Sequence, residues 1–180
     1  MLVAIDGPSG AGKSTIAGLV AADLGAVLVP SDDFYAAHVS DAEWDARTPE
    51  QRAADVIDWR RLRRKALEPL LAGRPAEWHP FDFDGRRPDG TLPLADRLEK
   101  RDPASVIILE GAYSAQPALA EIIDLAVLVD APADLRRERL VDREVGDFLA
   151  ASHERWDVAE EWYVTRVRPP SSFDLVVSPD

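Results

Sequence analysis

The sequence predicts a three-layer α/β/α sandwich around a mostly parallel sheet of five strands, with a helical lid. Three observations lead there. Short apolar runs alternate along the chain with longer stretches of helical periodicity. The runs are apolar on both faces, as strands covered from two sides must be. A glycine-rich segment stands between the first run and the first helical stretch.

The elements follow in order. Leu2–Ile5 is a buried strand. Lys13–Leu24 has Ile16, Ala17, Leu19, Val20 and Leu24 at helical spacing, and Gly25 stops it. Val27–Val29 is a second strand. Asp41–Ala54 is polar and helical, and Trp59–Leu71 turns Leu62, Ala66, Leu67, Leu70 and Leu71 inward before Gly73. Residues Arg74–Pro103, rich in Pro, Gly and charge, are a loop-dominated insertion. Ser105–Leu109 and Leu125–Val129 are the third and fourth strands. Pro132 suits the first turn of a helix running to about Val145, within a lid of about 132–150. His153–Val167 is helical, and Asp174–Val177 is the last strand. Residues 1–180 are expected to form one domain, with ligands at the carboxyl ends of the strands.

Composition removes several classes. The chain has 180 residues, enough for one α/β domain. It carries 33 acidic and 21 basic residues, a formal charge of −12, which speaks against sequence-independent nucleic-acid binding. There is no cysteine, hence no disulfide, zinc-thiolate site or thiol nucleophile. No apolar run reaches a membrane span and no leader precedes the first strand, so a cytoplasmic monomer or homodimer is expected.

The strongest motif is Gly7-Pro8-Ser9-Gly10-Ala11-Gly12-Lys13-Ser14-Thr15. It fits G-x-x-x-x-G-K-[ST] and lies between a strand and a helix, as a phosphate loop requires. Its glycines let successive N–H groups point into one concavity. The helix starting near Lys13 adds the positive end of its dipole. Lys13 can reach the outer phosphates, Ser14 can ligate Mg2+, and Thr15 can support the phosphate end. A nucleoside triphosphate, taken as ATP, is the implied ligand.

The motif leaves the reaction open. Guanine-specific GTPases of the Ras type read their base through an Asn-Lys-x-Asp segment, and this chain has no asparagine. A small-molecule kinase suits the length. The second strand runs into Ser31-Asp32-Asp33-Phe34-Tyr35, which puts two carboxylates beside the loop. One could accept the proton of an attacking hydroxyl or align it with the γ-phosphate. The same residues are also good capping chemistry. Glu110, at the end of the third strand, faces the cleft of Ser14 and could serve Mg2+ or a salt bridge. Arg136, Arg139 and Arg143 share one helix face. They could meet phosphate oxygens, with Arg139 foremost, or form a solvated face paired with Glu138, Asp142 and Glu144.

These segments, in this order, resemble the uridine kinase and nicotinamide riboside kinase group of phosphate-loop kinases. Further pieces agree: Asp58-Trp59-Arg60-Arg61-Leu62, then Pro80-Phe81-Asp82-Phe83, then Val106–Gly111, then Val129-Asp130 with the lid arginines. The resemblance covers most of residues 2–145. It implies that Asp32 is the catalytic carboxylate, that Glu110, with Asp33 nearby, supports the Mg2+ shell, and that Asp58 holds sugar hydroxyls. Tyr35, Phe81 and Asp82 fall on the acceptor side. Phe81 stands where the family often has tyrosine, and the family histidine shortly after is replaced by Asp84-Gly85-Arg86-Arg87. Arg86 or Arg87 could meet an anionic group of the acceptor.

The expected reaction is transfer of the γ-phosphoryl of ATP to a hydroxyl of a small metabolite, foremost a nucleoside or nucleoside-like compound. A sugar acid, a pantothenate-like compound or an antibiotic hydroxyl are further options. The rivals are a nucleoside monophosphate kinase, with Arg86 and Arg87 on the acceptor phosphate, and a nucleotide-dependent regulatory switch.

Overall fold

A computed structural model describes residues 1–143 and 148–178, without the side chains of 141–154. Five strands form a parallel sheet: β1 (Leu2–Asp6), β2 (Val27–Pro30), β5 (Ile107–Glu110), β6 (Leu125–Val129) and β7 (Leu175–Val177). Their order is β2-β5-β1-β6-β7. Every neighbouring pair is parallel, so helical crossovers cover the two faces. This is the expected three-layer sandwich.

The pleat sorts the residues of each strand. Leu2, Ile107, Leu109, Val27 and Val29 join one core cluster with helical residues Leu62, Ala66, Leu67, Leu70 and Tyr163. Ile5, Ile108, Val127 and Val129 join the other, against Ile16, Ala17 and Ala21 of α1 (Lys13–Leu24). This alternation follows from the two-residue period of a strand. It also fixes the two acids at strand ends. Asp6 shares the phase of Leu2 and Ala4, and Glu110 shares that of Ile108, toward α1.

Three expectations change in detail. Asp41–Ala54 is two helices, α2 (Asp41–Ala46) and α3 (Pro49–Asp55). Pro49 disfavours a helical Thr48, which instead caps α3 in a box with Gln51. Trp59–Leu71 comprises α4 (Trp59–Leu62), a π turn (Arg63–Leu67) and α5 (Glu68–Leu71). Pro69 removes a donor and crowds the preceding turn, which widens it. The insertion holds a short antiparallel pair, β3 (Ala76–Trp78) with β4 (Glu99–Arg101), whose three-residue strands are too brief to show a period. Helix α6 (Ala133–Arg143) begins one residue after Pro132. Helix α7 (Phe148–Trp162) continues into a π turn at Tyr163–Val167. No helix among the described residues is long and apolar enough to cross a membrane.

Candidate active site

The loop between β1 and α1 passes so close to β6 that a side chain at Gly7 would meet the Val129 carbonyl oxygen at 2.1 Å; its φ is +145. Only glycine tolerates both conditions. Lys13 is buried, and its Nζ donates to Pro8 O at 3.0 Å. Ser14, in the first turn of α1, donates its hydroxyl to Glu110 Oε1 at 2.9 Å. Two hard oxygen donors therefore converge at the mouth of the loop, and this donor set suits Mg2+ completed by phosphate oxygens and water. No cluster of three or more His, Cys, Asp or Glu side chains that could hold a metal occurs among the described residues.

Asp32 lies in the 3-10 turn Ser31–Phe34 that leaves β2. A Cβ on Gly111, the residue after Glu110, would sit 3.3 Å from Asp32 Oδ1 and 1.9 Å from Ser31 Oγ. The register explains this approach, because Pro30 of β2 pairs with Glu110 of β5. Asp32 Oδ1 therefore lies beside the residue that follows Glu110, and Glu110 in turn holds Ser14.

Asp33 does not join them. Its Oδ2 accepts from Trp78 Nε1 at 2.8 Å, facing the insertion. Burial raises its carboxyl above the usual range, against the lowering bond from Trp78. In a 3-10 turn consecutive side chains diverge, and the Mg2+ role expected of Asp33 would require it to leave Trp78.

The other expected residues are placed as follows. Asp58 caps α4 by accepting from Arg61 N at 2.9 Å. Tyr35 stacks in an aromatic group with Phe81, Phe83 and Trp156, at centroid distances of 5.6, 5.5 and 6.5 Å. Burial raises its phenol pKa, with further raising from Asp32 and Glu160. Asp82 accepts from Asp84 N at 3.1 Å within its own turn. Arg86 pairs with Asp41, which also holds Arg155, and Arg87 meets His38 Nδ1 at 3.2 Å. The Arg86 guanidinium ties the insertion to α2 and would have to leave Asp41 to meet an anionic group of the acceptor. Arg136 donates to Ser9 O at 3.3 Å, and Arg139 to Gly10 O and Ala11 O at 3.4 Å each. Both grip loop carbonyls, whereas the loop binds phosphate through its N–H groups. The side chain of Arg143 lies outside the described residues.

Sequence reasoning missed four residues. Asp6 is 1% exposed and accepts from Gly7 N, Tyr113 N, Ala115 N and Tyr163 Oη. Burial raises its carboxyl pKa, and these donors hold it down only in part. The signal was an acid in the buried phase of β1. Tyr163 brings the C-terminal helical segment onto that acid. Arg61 lies over the Phe34 ring and donates to the carbonyls of His79, Asp33 and Tyr35. Glu160 of α7 accepts from Ser9 N at 3.0 Å and from Ser9 Oγ at 2.5 Å. No local pattern signals these last contacts, because their partners are far away in sequence.

The loop, the parallel sheet and the acid turn define a P-loop kinase. Comparison with known proteins agrees. Within that class the chain is similar to uridine kinases: it is 27% identical over 173 residues to the uridine kinase of Bacillus cereus (strain AH187), covering 94% of this chain and 76% of that one. A candidate fructose transport system kinase from Silicibacter sp. TM1040 superposes with a TM-score of 0.65 at 26% identity, over 98% of this chain and 89% of that one. A candidate uridine kinase from Bacillus stearothermophilus gives the same TM-score at 19% identity, over 98% and 87%. The cytidylate kinase family model matches residues 3–63, the stretch that holds the loop and the acid turn.

Proposed function

We propose that the protein transfers the γ-phosphoryl group of ATP to a hydroxyl of a small metabolite, foremost a nucleoside or nucleoside-like compound. The observation that carries this reading is the approach of three groups: Ser14 on Glu110 at 2.9 Å, with Asp32 against Gly111. The loop N–H groups and Lys13 hold the phosphates; Lys13 leaves the Pro8 carbonyl to do so. Ser14 and Glu110 hold Mg2+, which, when bound, neutralises charge on the phosphate oxygens. Asp32 orients the acceptor hydroxyl or takes its proton as the oxygen meets phosphorus. Arg136 and Arg139 brace the loop through its carbonyls. Residues 74–103 form the acceptor side of one kinase domain, and the lid expected over about 132–150 includes residues 144–147, which lie outside the described residues. Tyr35 and Phe81 give the acceptor side an apolar wall, and the loss of a tyrosine hydroxyl at Phe81 favours an acceptor other than the family's pyrimidine nucleosides.

The match to the cytidylate kinase model favours a second reading, transfer to a nucleoside monophosphate. Engagement of Arg86 by Asp41 weighs against it. One assay separates the two: Mg2+ and ATP with uridine, cytidine, fructose or CMP, reading the phosphorylated product by mass. Asp32→Asn should lower turnover on the best acceptor by about a thousandfold with the KM for ATP little changed. Turnover close to wild type removes Asp32 from the reaction. Hydrolysis without transfer to any acceptor overturns the kinase reading.

A further inference from the structure

One mostly buried cation has no part in the proposed handling of phosphate or metal. Arg61 stands in α4, and its side chain is 15% exposed. Its ion pair with Asp58 is long, at 4.0 Å. Its close contacts are neutral. Nη1 donates to His79 O at 2.8 Å, and Nη2 donates to Asp33 O at 2.9 Å and Tyr35 O at 3.2 Å. The guanidinium carbon lies 4.7 Å from the centre of the Phe34 ring. Burying a charge works against stability, so the arrangement is better explained by the shape it imposes.

That shape is the acid turn. Asp33 and Tyr35 flank Phe34 in the segment that follows Asp32 out of β2. Within itself the turn is weakly closed: Tyr35 N donates to Asp32 O at 3.4 Å, longer than an ordinary bond. Outside partners hold it instead. Asp58 N donates to Phe34 O at 2.8 Å, and Phe81 N donates to Asp33 O at 2.8 Å. Arg61 links these two sides, because one planar fork reaches Asp33, Tyr35 and His79 together. The point charge of a lysine cannot span them. His79 stands two residues before Phe81, on the proposed acceptor wall.

We propose that Arg61 is a positioning residue: it clamps the acid turn to residues 79–81 and so sets the aim of the Asp32 carboxylate on the acceptor hydroxyl. The proposal rests on the phosphotransfer reading above and deepens it, by naming what keeps the reacting pair in line. Arg61 itself touches no reacting atom. Without it Asp32 keeps its chemistry and loses its aim, which slows transfer through orientation. The hydrogen bonds of Arg61 include none to the phosphate loop, so the nucleotide grip stays.

The test is a kinetic cycle in the full chain: Arg61→Met, Asp32→Asn and the two together, on the best wild-type acceptor of the panel above. Arg61→Met keeps a stem against Phe34 and removes the fork. Its kcat should fall about thirtyfold, with the KM for ATP within about twofold of wild type. The ratio of phosphorylated acceptor to ADP should fall too, because water competes with a misaligned hydroxyl. On the Asp32→Asn background the same change should lower kcat by less than about threefold, since the group it aims is gone. Loss of folded protein alone would lower kcat equally on both backgrounds and leave the ratio untouched. Arg61→Lys keeps the charge without the fork; it should show the same pattern, and it decides the matter where Arg61→Met does not fold. Equal losses on both backgrounds, an unchanged ratio, or Arg61→Lys at the wild-type rate overturns the proposal. If wild type transfers to no acceptor, the kinase reading fails on that result and takes this one with it. If wild type transfers and Asp32→Asn is slow while the Arg61 losses multiply with it, only the role of Arg61 falls.

Discussion

The phosphate side and the proposed acceptor side of the cleft are built in different ways. The phosphate side is a contiguous stretch, Gly7 to Thr15, whose binding groups are mostly backbone N–H donors. Its supports, Asp6 and Glu110, come from strand ends set by the pleat. The acceptor side is assembled from side chains that meet across long separations. Trp78 reaches Asp33, Arg61 ties three carbonyls, and Asp41 joins Arg86 to Arg155. The first kind of site tolerates almost no change in backbone shape. The second depends on partners that can be exchanged together, so acceptor choice can drift while the nucleotide grip stays.

That contrast can be broken or sharpened by experiment. The largest effect after Asp32→Asn belongs to the loop. Gly7→Ala should destabilise the fold by about 3 kcal/mol or more, since its Cβ would collide with backbone. Gly18→Ala in α1 meets nothing within 4 Å and should stabilise by up to ~1 kcal/mol. Urea melts of both variants check the pair; equal midpoints would mean that the loop is less rigid than its geometry.

Glu160→Gln comes next. It keeps an oxygen for Ser9 and removes a negative charge from the mouth where phosphates enter. ATP affinity measured by calorimetry should rise about three- to fivefold, as relief of a partly screened like-charge contact. Weaker binding would instead make Glu160 part of the nucleotide grip.

The smallest effect lies on the acceptor side. Burial acts to raise the Asp41 carboxyl, but the bonds from Arg155 and Arg86 outweigh it and hold the group below its usual 3.8. A depressed folded-state pKa contributes stability above pH 3.8 that disappears as pH falls through the folded value. Asp41→Asn should therefore flatten the acid limb of the stability profile. The carboxylate is 40% exposed, so solvent screens the pair and the loss at neutral pH should stay under ~1 kcal/mol. An unchanged acid limb would show that Arg86 and Arg155 anchor the insertion without help from charge.

What was legible in the sequence follows the same divide. The five strands and the loop could be read because each depends on periodicity or on neighbours within a few residues; Ser14 and Glu110, 96 positions apart, could be placed in one cleft only because both stand at the carboxyl ends of buried strands or just beyond. Asp33 could not be separated from Asp32, since only Trp78, 45 positions away, shows which acid turns aside. Arg86 looked like a free cation because Asp41, its partner, lies 45 residues earlier. The π turns and the three-residue strands left no periodic trace. Asp6 was visible as an acid ending a buried strand, but its four donors belong to segments that only the fold collects.

Those donors have a consequence for how the chain matures. Asp6 is made at the start of synthesis, and Tyr163, whose hydroxyl closes its coordination at 2.6 Å, follows 157 residues later. Until that tyrosine leaves the ribosome, a carboxylate destined for the interior lacks its last donor, and the nucleotide cradle beside it cannot settle. Contacts of such span slow folding. A nascent chain stalled before Tyr163 would thus capture nucleotide poorly, although its binding motif was finished long before.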